Sequence, residues 1–443
     1  MSGRPAAIVA GASQSALNAT VLAFHAATHS GCPGPFQGVV EIETLGVKRV
    51  SWSMANAPTI DLAPKQADRR WLKARICEAL GTFELAEAWA DSVVDESVIF
   101  GVEATGVEVT IELDDGASRA VSGKLSVFVQ ARTSADRRIV FQAQHSRYIP
   151  EGDHDPGTQW LLDHIVVPQA QTHLNDVFAD GNPFTPFPDD LVRFSAPSIE
   201  IADGALLAFA TDDPGAASAG PPALSWPADR VQELARLDIW QRAFTTIIKR
   251  RHLGDSFDFH FDIGIYAFGV SYYYGIFEAR ILKRLSDDKV LVEMSAGGGG
   301  SVTTTIFFVP VKLKLGIVAR PQMEVRIQTR SGRIVPRIET IKSLNLHLDL
   351  SVPVILQPIF DLIVNAITKV IADRMRSLLE RIDLGSTEIP SMDLGWESVM
   401  ASVSGKDLKL VQQPVSGQSD WFGMSGVPIA TLRSDTLNAA TKD

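Results

Sequence analysis

Between Leu344 and Ser351 every second residue is apolar: Leu344, Leu346, Leu348 and Leu350 alternate with Asn345, His347, Asp349 and Ser351. A period of two is that of a strand with one buried and one wet face. From Pro358 the period changes. Ile359, Ile363, Ala366, Val370 and Leu378 fall on one stripe of a helix, and Phe360, Ile367 and Ile371 broaden it. Asp361, Asn365, Thr368, Lys369, Asp373, Arg376 and Glu380 keep a wet face. Residues 352–371 are therefore not a membrane span, because Pro358, Asp361, Asn365 and Lys369 interrupt them. The apolar arc is nevertheless wider than one flat sheet can cover. A strongly curled antiparallel sheet wrapped round the helix would bury it.

The rest of the chain supplies material for such sheets. FDFHFDIGIY puts Phe257, Phe259, Phe261, Ile263 and Ile265 on one face, and VKLKLGI, MEVRIQT, VEVTIEL and SVFVQAR alternate in the same way. Asp287-Asp288 between ARILKRL and KVLVEM signals a hairpin. Helical spacing predicts helices over 12–28, with Leu17, Val21 and Phe24 on one stripe, and over 159–178, 229–251 and 358–381, with a weaker one at 67–80. No run of βαβ units occurs, so the fold class is α+β. Each half runs helix, strands, helix, closing strand, with APSIEIADGALLAF and MASVSGKDLKLV as similar endings. This predicts two tandem modules, 1–210 and 228–412, joined by a Pro/Gly-rich linker at 211–227 and followed by a surface-wrapping or fraying tail at 413–443.

A chain of 443 residues is long for a single core, in keeping with two modules. Its 41 basic against 52 acidic residues, net −11, argue against nucleic acid and against simple docking on anionic membranes. With only Cys32 and Cys77 there is no disulfide framework, and MSGRPAAIVAGASQS makes a poor signal peptide. The expected location is cytoplasmic, or exported without a classical signal.

The stretch from LNLHLDLSV through the long helix to IPSMDLGW and SVSGKDLKLV resembles the TULIP superfamily, which includes bactericidal permeability-increasing protein and plasma lipid-transfer proteins. The chain is also similar to bacterial tandem TULIP proteins of toxin-accessory clusters. The resemblance implies an elongated body in which each module wraps a long helix in a curved sheet and holds an apolar groove between them. It implies non-catalytic binding of a lipid or another long apolar molecule, with transient membrane contact and protein partners in play, and no cofactor. The groove residues expected are Leu346, Leu348 and Leu350 from the strand, Ile359, Ile363, Ile367 and Val370 from the helix, and Phe259, Phe261 and Ile263 from the aromatic strand. Leu17, Val21 and Phe24 are their counterparts in the first half. The alternative is a scaffold for protein assembly, built on the same modules with the helix filling its own sheet.

Catalytic patterns are poor. His25 and His29 in HAATH are spaced for a metal, but Ala26 stands where a zincin needs its glutamate, and imidazoles also suit a helix C-terminus. Asp258, His260 and Asp262 share a strand face about 7 Å apart, which suits a solvated face better than one ion; His347 and Asp349 would have to pair with that strand to complete a cluster. SAGGGGSVTT (295–304) lacks the lysine and helix of a phosphate loop and reads as a flexible crossover or rim loop. GNPFTPFP (181–188) reads as a rigid turn whose Phe184 and Phe187 touch a partner or pack over a helix end. Tyr272 and Tyr274 share one strand face as groove or core aromatics.

Overall fold

The computed structural model describes residues 4–29, 36–44, 46–63, 98–177, 181–184, 187, 190–306, 309–330, 333–351, 357, 360–382, 384, 387–388, 391–392, 399–415 and 419–432. The expected helix at 67–80 and the side chain of Ile359 lie outside them. The molecule is elongated, α+β and mostly sheet, with long helices held against curled antiparallel sheets. The helices are α1 (Gln14–His29), α2, α3 (Leu237–Arg251) and α4 (Phe360–Arg381). Helix α2 is continuous through an α segment Pro156–Leu161, a π turn Leu162–Val166 and a second α segment Val167–Val177. The π turn ends two residues before Pro168, whose ring has no N–H and crowds the carbonyl four residues back, that of His164 within the turn; the wider turn makes room for it.

In the second half, strand Gly254–Ile263 forms the sheet edge, followed by Tyr266–Ser286 and then Lys289–Ile306. There the sheet forks. Residues 296–306 pair with Val309–Ala319, which pairs with Leu346–Leu350, while 289–293 pair with Gln322–Arg330, which pairs with Arg333–Ser343. Register shifts at Ile276/Glu278, Ile281/Lys283 and Arg284/Ser286 bend the long strand. The fork and the bulges curl the sheet round α4, which buries Ile363, Ile367, Ile371, Met375 and Leu379. This i, i+4 row is rotated from the predicted stripe: Val370 and Leu378 are only half-buried, on its flank.

The glycine run expected to be a rim loop is instead the middle of strand Lys289–Ile306. Gly298 and Gly300 lie opposite Tyr274 and Tyr272. A Cβ at Gly298 would stand 2.0 Å from the Tyr273 carbonyl oxygen, and one at Gly300 2.1 Å from that of Ser271. The glycines serve close backbone approach in a strand, not loop flexibility.

In the first half, Gln37–Thr44, Val47–Met54, Val98–Leu113, Ser118–Thr133 and Arg138–Pro150 form an antiparallel meander. Leu162, Ile165 and Val166 of α2 pack on its Val50, Val109 and Val121. Asp155 caps α2, accepting from Thr158 N–H at 3.0 Å, and the hydroxyl of Thr158 and the guanidinium of Arg119 hold its carboxyl below the usual range.

A six-stranded sheet joins the halves, in the order Ser198–Ala202, Ala205–Ala210, Ile8–Ser13, Val231–Arg236, Trp421–Gly426, Lys409–Gln413. Each half contributes three strands, arranged in mirrored order about the antiparallel pair Ile8–Ser13/Val231–Arg236. Each strand of that pair runs directly into a helix, α1 or α3. Two expectations change here. Residues 231–236, predicted as the first turns of a helix from 229, form a strand, because chain ends about 220 residues away on one side and 190 on the other satisfy its backbone groups. Helix α3 starts only at Leu237, and ends in Lys249, Arg250 and Arg251, suited to its dipole, with His252 in the left-handed region at φ 46°. The segment expected as a tail supplies strand Trp421–Gly426, whose Trp421 is completely buried.

At the centre of this sheet, Glu233 lies between Ala10 and Met424 and has no ion-pair partner among the described residues. Desolvation pushes its carboxyl up to about 7. The folded state then holds a proton that the unfolded chain releases near the ordinary glutamate value, so this contribution to stability is present at low pH and lost as pH rises toward 7. Glu233→Gln is expected to flatten the dependence of the urea midpoint on pH between about 4.5 and 7; an unchanged profile would count against a neutral carboxyl in the fold.

Candidate functional site

The aromatic strand and its neighbour form an apolar row beside α4. On strand Gly254–Ile263, Phe257, Phe259, Phe261 and Ile263 are half-buried against the core of the second sheet, while Asp258, His260 and Asp262 face water. Alternation alone sorts them. The rings stack in sequence: Phe257 on Phe259 and Phe259 on Phe261, each at 5.9 Å between centroids, then Phe261 on Phe268 at 5.1 Å. The strand pairs on one side only among the described residues, and its exposed charges discourage further pairing along that edge. From Phe257 to Ile263 the row spans about 20 Å at the rise of a strand.

At its Phe257 end the row meets α4. The guanidinium carbon of Arg374 lies 5.8 Å from the centre of the Phe257 ring, a cation–π contact. Phe257 also meets Tyr272 and Tyr274 edge-on, at 5.5 and 6.2 Å. The two tyrosines stack at 5.8 Å and are 3% and 0% exposed. Neither hydroxyl has a hydrogen-bond partner among the described residues. Each such buried group costs about 1–3 kcal/mol. Burial raises both phenols, Tyr274 to about 12; Asp255 adds to the rise there, and Arg381 and Arg374 of α4 oppose it.

A cleft of ≈ 590 Å³ opens where α4 ends. Val335, Ile338 and Ile341 of one strand and Ile382 and Leu384 beyond the helix line it, together with Arg330, Arg337, Arg381, Glu339 and Glu380. These residues were not among those expected from the sequence. The signal was present in RIVPRIETI, whose Ile334, Pro336 and Ile338 alternate like a strand. A second cleft, of ≈ 480 Å³, is lined by Asp287, Asp288, Arg326 and Lys409. These four charges already pair with one another, Arg326 with Asp288 at 3.2 Å and Lys409 with Asp287 at 3.0 Å.

Of the expected groove residues, Phe259, Phe261, Ile263, Leu346, Leu348, Leu350, Ile363 and Ile367 meet in one cluster round α4. Ile363 and Ile367 are completely buried among protein atoms. Ile363→Trp is therefore expected to overpack the sheet and cost about 1–3 kcal/mol, read from urea denaturation; unchanged stability would place a void at that position. In the first half, Leu17, Val21 and Phe24 do not occupy the equivalent place. By position in the central sheet, α1 is the counterpart of α3, and the helix held in the first curled sheet is α2. Leu17 joins Leu174 of α2 against Phe100, Val127 and Val129 of the same sheet, and Phe24 is buried.

The side chains with metal-ligand chemistry do not converge. His25 is buried, and its Nε2–H donates to the Met54 carbonyl at 2.9 Å; the side chain of His29 lies outside the described residues. Three strands separate His347 and Asp349 from the strand of His260, so they cannot complete a cluster with it. Among the described residues no group of three or more His, Cys, Asp or Glu could hold a metal ion, and no helix is long and apolar enough to cross a membrane. Phe187 of GNPFTPFP is buried against Trp240 at 4.7 Å, edge to face, so it packs rather than protrudes.

No family model matches the chain, and no curated protein matches it. Several solved structures align over nearly its whole length, among them the following three. A crystal structure of lipopolysaccharide binding protein shares 10% identity at a TM-score of 0.34, covering 97% of this chain and 99% of that one. P47 of Clostridium botulinum E1 shares 8% at 0.33, covering 96% and 99%. P47 from Clostridium botulinum A2 shares 10% at 0.35, covering 95% and 97%.

Proposed function

We propose that the chain is a TULIP-like protein of two tandem modules that binds a long apolar ligand, without catalysis, between a helix and its curled sheet. The observation that carries this is the half-buried row Phe257–Phe259–Phe261–Ile263 beside α4. It offers a continuous apolar track of about 20 Å, open along one edge. Each CH₂ buried on such a track contributes about 0.8 kcal/mol. The cleft at the end of α4, where Val335, Ile338, Ile341, Ile382 and Leu384 stand among three arginines and two glutamates, is a second opening on the same helix. Ile265 and Val309, 91% and 59% exposed, sit at neighbouring hairpin tips of this sheet and supply an apolar contact for transient delivery to a membrane.

The test is uptake. Protein stripped by organic extraction is expected to bind a fluorescent long-chain fatty acid, and Phe259→Ser to weaken that binding about tenfold through lost apolar contact. Native mass spectrometry of unstripped protein checks for a carried ligand. Stripped protein that never takes up the probe would sink this reading. A second reading, an assembly scaffold, draws on the outer sheet face, where Tyr273, Phe277 and Val318 stand exposed over Gly275, Gly297 and Gly299.

A further inference from the structure

We propose that the Tyr272 and Tyr274 hydroxyls, with Arg374, form a carboxylate subsite at the Phe257 end of the phenylalanine row, so that the ligand is a single-chain amphiphile with a carboxylate head. This rests on the apolar-ligand reading above and names the chemistry of the head. The first observation is an imbalance within the protein itself. Tyr148, in the first sheet, is buried to the same degree as Tyr272 and lies across Gly123 much as Tyr272 lies across Gly298, with each hydroxyl under 3 Å from where a glycine Cβ would be. Its hydroxyl reaches the carbonyls of Val107 and Val121, both at 2.9 Å. The register shift between Ala104 and Val107 disturbs the ladder beside the first of these. Tyr272 and Tyr274 have no such carbonyl among the described residues, and two buried donors stacked side by side await the same kind of acceptor.

The second observation is charge. Arg374 has no carboxylate partner among the described residues and rests on Phe257, the ring that touches both tyrosines. Around Tyr274 the charged groups are Asp255, Arg374 and Arg381, which sum to a single positive charge. A monoanion neutralises it, and a phenol or guanidinium hydrogen bond to an ionised oxygen is the stronger kind. The third observation is direction. The row leads from this polar end toward Ile263 and the hairpin tip, so a head held at the tyrosines lays its tail along Phe257, Phe259 and Phe261.

The experiment titrates stripped full-length protein with palmitate and with hexadecyltrimethylammonium, each below its micelle concentration. The two probes share a tail and differ in head charge. Wild type is expected to prefer palmitate. Tyr272→Phe/Tyr274→Phe is expected to lose about tenfold in palmitate affinity, to bind the cationic probe as before, and to melt no lower than wild type, since no protein hydrogen bond is removed. Arg374→Gln is expected to narrow the preference between the probes. Equal palmitate affinity in wild type and the double variant overturns the subsite alone. An equal loss for both probes overturns it too, marking a structural role for the rings. Protein that takes up neither probe overturns the subsite together with the reading it rests on.

Discussion

Replacing Gly298 by alanine is expected to destabilise the protein by about 3 kcal/mol, the upper part of the range for overpacking. The added methyl would sit 2.0 Å from the Tyr273 carbonyl oxygen and 2.6 Å from the Tyr274 Cα. Both are backbone atoms of the neighbouring strand, which cannot swing aside like a long side chain. It would also stand 2.9 Å from the Tyr272 hydroxyl, so the tyrosine pair must shift with the strand. Gly299 is the control. It faces the opposite side of the same strand, where the nearest atom to a Cβ is the Leu315 carbonyl oxygen at 3.3 Å. Gly299→Ala should cost little, because alanine restricts the unfolded chain more than glycine does and that gain offsets the small adjustment. Urea denaturation of the two variants separates them. Similar midpoints would mean that the glycine run is as plastic as the loop its sequence suggests.

The glycine run and strand Trp421–Gly426 are where local pattern stops being informative. It was enough for the long helices and for most of the second sheet, because Phe257, Phe259 and Phe261 or Leu346, Leu348 and Leu350 reveal a buried face by alternation alone. It was also enough to place these residues round α4. SAGGGG carries no side chains to alternate, so a strand built on backbone approach looks like a loop. VQELAR has good helix formers, and only pairing with Ile8–Ser13 and Trp421–Gly426, both distant in sequence, makes it a strand. The counterpart of α4 in the first half was also misplaced. Leu17, Val21 and Phe24 form a helical stripe as clear as that of Leu162, Ile165 and Val166, and periodicity does not say which helix a sheet encloses. The tyrosine donors and the cleft at Ile338 and Ile382 depend on neighbours brought together by curling of the sheet. No single stretch of sequence contains them.

Trp421→Ala should cost about 3–5 kcal/mol, the range for emptying a large aromatic site in a packed core. For a residue in a fraying tail the expected cost would be near zero, so this position discriminates sharply. Trp421 is completely buried beside Val9, Leu207, Phe209 and Leu234, three of which come from strands of the first half. Its neighbour Phe422 points the other way, into the second-half core, and its carbonyl accepts from Trp240 Nε1 of α3 at 2.7 Å. One short strand therefore fastens residues from both halves, and Gly423 lets it approach Val231–Arg236 so closely that a Cβ would lie 1.9 Å from the Glu233 carbonyl oxygen. Trp421→Phe keeps most of the volume and removes an indole N–H that has no partner among the described residues, so it should cost much less than alanine. If alanine and phenylalanine were equally harmless in chemical denaturation, the strand would contribute nothing to the joint between the halves. If alanine alone lowers the midpoint and brings fluorescence probes on α1 and α4 down together, strand Trp421–Gly426 is part of the core that strand Ile8–Ser13 begins.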